Sequence, residues 1–156
     1  MKNILFIILI TFYANVSFGQ DFSQLANVEF KTTESYKLAE SQVLVCANYL
    51  FDNPTDKAEL NRLNSTQYII KWMSGTPDHT FSIDDKAMEL TKGKSDLLGL
   101  YMAAMSKVVI ENEGEKLTSD EIYNQSEKIV VDYCSNSDNK IKPSKKIKTL
   151  LKERKG

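Results

Sequence analysis

The sequence predicts an all-α fold: a compact bundle or orthogonal array of four main helices plus a basic terminal one. Three observations carry that expectation. Apolar residues recur at helical spacing in every long segment after Thr32, polar breaks with Gly, Pro or capping residues separate those segments, and no stretch alternates apolar and polar residues as a strand would.

The chain opens "MKNILFIILITFYANVSFGQDF", one lysine before an apolar run from Ile4 to Ile10, then small residues before a polar segment. That order predicts a secretory signal peptide over residues 1–19, with Ser17 and Gly19 as the small residues before the cut and Gln20 as the first mature residue. The strong apolar run falls far short of the roughly 20 residues that span a bilayer, so no membrane span is expected. Residues 20–156 are then read as a single exported helical domain, periplasmic or secreted, of a size that buries about two-thirds of its unfolded surface.

Asp21 to Thr32 reads as an extended lead-in. The first helix is predicted over Thr33 to Phe51, with Ala39, Val43, Cys46 and Leu50 facing inward. In "DNPT", Asn53 is placed as the cap and Pro54 as the first residue of a second helix reaching Met73, with Leu60, Leu63, Ile70 and Met73 inward. Gly75 and Pro77 in "SGTPDHTFSIDD" break the chain. Trp72 is expected to seal this corner and His79 to face solvent. A short helix is predicted over Asp84 to Leu90.

"LLGLYMAAM" is apolar nearly all round, which predicts a central buried helix over Ser95 to Asn112, with Ser95 as its cap. Gly99 and Ala103, four apart, leave one side open to close approach by a neighbouring backbone. Thr118 and Glu121 form a capping-box pattern that starts a helix running to Cys134. After the polar break "SNSDNKIKPS", the segment "KKIKTLLKERK" reads as a basic amphipathic helix.

Cys46 and Cys134 are the only cysteines, and each lies on an inward stripe; export predicts a disulfide between them. Such a bridge would tie the first core helix to the last and contribute about 4 to 5 kcal/mol in the chain-entropy treatment.

Motifs for chemistry are sparse. His79 is the only histidine, its sequence neighbour Asp78 points elsewhere, and no nucleophile elbow is present. The "GKS" of "TKGKSD" lacks the earlier glycine and the preceding strand of a phosphate loop. No metal site, cofactor or catalytic residue is predicted. Lys140 to Gly156 holds eight basic residues against one acid, while Gln20 to Asn139 holds eleven basic against twenty acidic residues. A tail helix that docks through Ile147, Leu150 and Leu151 and leaves its lysines in water fits this pattern, and the tail lacks the interleaved aromatics of a nucleic-acid binder.

"NRLNSTQYIIKWMSGTPDHTF" and "LLGLYMAAMSKVVIEN", together with a signal ending "SFGQ", resemble small exported helical proteins of the Bacteroidota. The resemblance implies the exported compartment and the helical fold, and no mechanism. The expected function is therefore non-enzymatic binding of a protein partner or the cell envelope. The alternative is a carrier holding a small apolar ligand between helices, for which Trp72, Met73, Tyr101 and Met105 are the candidate lining residues.

Overall fold

The computed structural model describes residues 22–56 and 59–154; the predicted signal peptide and its cleavage point lie outside them. The described residues form six α-helices and no strand: α1 Thr33–Asp52, α2 Leu60–Met73, α3 Asp85–Thr91, α4 Ser95–Glu111, α5 Ser119–Ser135 and α6 Lys145–Glu153. Short 3-10 turns cover Ser23–Asn27 and Ser137–Asn139. None of these helices is long and apolar enough to cross a membrane.

Local chemistry sets most boundaries. Thr32 and Ser35 cap α1 reciprocally, as Thr118 and Glu121 cap α5 in the predicted box. Asp84 caps α3 and Ser144 caps α6 through bonds to the backbone N–H three residues on. Two expected caps differ. Lys94, with no side-chain bond, precedes α4, and Ser95 is its first helical residue. The second helix begins not at Pro54 but at Leu60, because the Glu59 carboxylate accepts from the amides of Asn61 and Arg62 and fixes the start there.

That later start accompanies a different inward face. Leu60, Leu63 and Ile70, expected inside, are 70, 48 and 38 % exposed. The buried face of α2 is Arg62, Ser65, Tyr68, Ile69 and Trp72. An arginine can occupy it because its guanidinium is satisfied there: Nη1 donates to the carbonyls of Leu50 and Asn53, at 3.1 and 3.3 Å, where α1 ends and its last carbonyls lack helical partners.

α4 is central, as its composition predicts. It packs on α1, α2, α3 and α5, and nine of its residues are buried. A Cβ at Gly99 would stand 3.3 Å from Thr66 Cγ2, so the missing side chain lets α2 approach. The terminal helix α6 is docked against α3 and α5, with Ile147 fully buried and Leu150 and Leu151 packed on the core edge.

The expected disulfide is not formed. Cys46 and Cys134 are free and buried. Cys46 Sγ lies 3.8 Å from Gln42 Nε2 of its own helix and near Ser65 of α2, whereas Cys134 lies near Lys94 at the start of α4. α4 packs against both α1 and α5, and the two thiols face different neighbours. The ends of α1 and α5 are joined by hydrogen bonds instead. Tyr133 Oη donates to the Asn53 carbonyl at 2.7 Å and lies 3.2 Å from Thr55 Oγ1. The Thr55 amide donates to the Asn139 carbonyl at 2.8 Å.

Candidate functional site

A cleft of about 580 Å³ opens between the first turns of α1, the loop after α2 and the connection from α4 to α5; Lys37, His79, Ser82, Asn112, Glu113 and Ser119 are among its lining residues. The loop reaches it through a tight corner. After Met73, the amides of Gly75 and Thr76 both bond back to the Trp72 carbonyl, and Pro77 then bars further helix. Gly75 passes directly over Tyr36: a Cβ there would collide with the Tyr36 hydroxyl oxygen and ring. Trp72 seals the corner as predicted, fully buried, with Nε1 donating to the Tyr36 carbonyl at 3.0 Å.

His79 does not face solvent. Its side chain is 17 % exposed, its ring lies 5.7 Å from that of Trp72 and 6.3 Å from that of Phe81, and Nε2 is 3.5 Å from Glu40 Oε1. Glu40 is the unusual member. Its side chain is 8 % exposed; Oε2 accepts from Lys37 Nζ at 2.9 Å, while buried Oε1 has no hydrogen bond and only the long contact to His79. Lys37 also reaches Glu113 across the cleft rim. The hydrogen bonds from Lys37 to Glu113 and then to Glu40 push its ammonium above the usual lysine range, and the same ammonium holds Glu113 below the usual carboxylate range. An imidazole and a bridging ammonium thus line one concavity, with a buried carboxylate in contact with both behind them. Thr80, Ser82 and Ser119 add hydroxyls to the lining. Among the described residues no group of three or more His, Cys, Asp or Glu is placed to hold a metal ion.

The candidate lining residues from the sequence lie in or against the packed core. Trp72, Tyr101 and Met105 are core residues, and Met73 is partly buried against the core. The space bordered by Tyr101 and Met105 measures about 10 Å³, the volume of one water at most. A second groove of about 310 Å³ runs between α2 and the start of α4, past Arg62, Leu63, Thr66 and Gly99.

The residues that sequence reasoning missed are Glu40, Lys37 and Glu113. A signal for Glu40 was present: it follows Tyr36 by four and precedes Val43 by three, an acid at an inward position on an otherwise apolar stripe. Nothing in the sequence pairs it with His79. Comparison with protein-family models, with curated proteins and with solved structures returns no match.

Proposed function

We propose that this chain is an exported, non-enzymatic helical domain that acts by binding, and that the His79 cleft receives a polar segment of a partner protein in the cell envelope. One observation carries the reading: Lys37, His79 and Glu113 line one open cleft of about 580 Å³, with the Glu40 carboxylate buried behind Lys37 and His79. The lining mixes lysine, amide, carboxylate and hydroxyl groups with Val109, Leu117 and Ile122, a mixture that suits a peptide segment. The helices, read as one closed array, supply a rigid frame for it.

A photo-crosslinking side chain placed at Ser82 or Ser119 in the native host tests the reading. A discrete adduct is expected at both positions and none from the same group at Thr149 on α6. The adduct should disappear in a Lys37→Ala, Glu113→Ala double variant that still unfolds cooperatively. Absence of any adduct, or one indifferent to those substitutions, would refute the proposal. A second reading, acid–base catalysis, draws on the same imidazole–carboxylate pair. Turnover of any substrate that vanishes with His79→Ala in a folded protein would replace the binding role by that one.

A further inference from the structure

We infer that the outer face of α6 is a docking surface for a membrane rich in anionic phospholipid. The inference is independent of the cleft. α6 spends its apolar side on the protein: Ile147 is buried and Leu150 and Leu151 pack at the core edge. Lys145, Lys148 and Lys152, spaced three and four apart, share the opposite side and are exposed. Lys140 and Lys142 extend the exposed charge along the segment leading into the helix. Lys94 Nζ donates to the carbonyls of Lys142 and Pro143, at 3.2 and 3.4 Å, and so pins that segment and its charges to the body.

Among the described residues these lysines lack carboxylate partners, as do Lys92, Lys116 and Lys128, but only here do such lysines line up along one helix and its lead-in. Lys31, Lys37, Lys86 and Lys107 each lie within ion-pair distance of a carboxylate. Lys140, Lys142, Lys145, Lys148 and Lys152 have no such partner among the described residues, and the one ion pair of the tail belongs to Arg154, which is taken by Asp132. Glu153, the sole acid of α6, lies off the stripe: it sits one residue on from Lys152, about 100° around the helix. A row of unneutralised ammonium groups on a docked helix presents charge without an inserting apolar edge. Ammonium groups act as point charges rather than geometric forks, which matches a diffuse layer of lipid phosphates. Neither a groove-filling element nor stacking aromatics are present on this face, as nucleic acid would call for.

Sedimentation of the full chain with vesicles of phosphatidylglycerol and phosphatidylcholine, against vesicles of phosphatidylcholine alone, tests the inference. Binding to the anionic vesicles only is expected, weakening as salt is raised. At about 1 kcal/mol per lysine near the surface, Lys145→Gln, Lys148→Gln and Lys152→Gln together should weaken it roughly a hundredfold. A Lys116→Gln, Lys128→Gln variant should bind within about twofold of the parent, because neither residue is on α6. The Lys37→Ala, Glu113→Ala variant should also still bind, which separates this surface from the cleft. Failure to sediment with anionic vesicles, sedimentation unaffected by the triple substitution, or retention on an anionic polysaccharide or duplex DNA without vesicle binding would each overturn it.

Discussion

Free, buried thiols should be chemically silent in the native protein and count as two on unfolding. Burial raises the Cys134 thiol from 9.0 to about 11 and moves Cys46 in the same direction. At about pH 8 an unperturbed thiol of that starting value is one-tenth ionised, whereas Cys134 is ionised roughly one part in a thousand. Ionisation alone thus slows attack on a chromogenic disulfide reagent about a hundredfold, before the surrounding side chains of α5 exclude the reagent. The native reaction should speed up roughly tenfold for each pH unit until about pH 11, and addition of guanidinium should release two equivalents of colour at once. No colour in denaturant would mean that Cys46 and Cys134 are bridged and that the packing of α1 and α5 on α4 is wrong. Rapid native reaction at moderate pH would refute the burial.

Other perturbations test the frame. Arg62→Met should cost about 2–4 kcal/mol in denaturant unfolding, because the α1 carbonyls of Leu50 and Asn53 lose their charged donor; Arg62→Lys should recover only part, since one ammonium cannot span them. Gly75→Ala should destabilise by roughly 1–3 kcal/mol through collision with Tyr36, and the loss should shrink in a Tyr36→Ala background, a non-additivity that a double-mutant cycle reads directly. Tyr101 is raised from 10.0 to about 12, by burial first and then by Asp84 and Glu127. The unfolded chain therefore releases this proton first, and Tyr101 contributes a fall in stability of up to about 3 kcal/mol as pH climbs from about 10 to 12, beside those of Tyr68, Tyr123 and Cys134; Tyr101→Phe should remove its own share of that alkaline decline without changing the behaviour at neutral pH.

Periodicity made α1, α4 and α5 legible because their inward faces are apolar by composition, and the Thr118–Glu121 box marked a helix start directly. α2 was misread for a physical reason. Its buried face includes Arg62 and Ser65, whose polarity is offset by carbonyls that a linear sequence does not juxtapose, so the eye falls on Leu60, Leu63 and Ile70 instead. The same limit hid the cleft. His79 was judged by Asp78 beside it in the chain, yet its carboxylate partner is Glu40, an element and a corner away. The cysteines show the converse: two inward stripes establish that both thiols are buried, and say nothing of which way round α4 each one faces.

The backbone bond from the Thr55 amide to the Asn139 carbonyl joins the loop after α1 to the 3-10 turn after α5, far apart in the sequence, close to where Tyr133 also grips Asn53. An amide in a loop ordinarily trades its proton with water whenever the loop flexes. This one is released only when the close of α1 parts from the close of α5, so its hydrogen-exchange rate reports a global opening from a position outside any helix. Thr55 thereby serves as a sentinel for cooperativity: protection matching that of the α4 amides would mark α1 and α5 as one unfolding unit, and early loss would mark the seam along which the protein first comes apart.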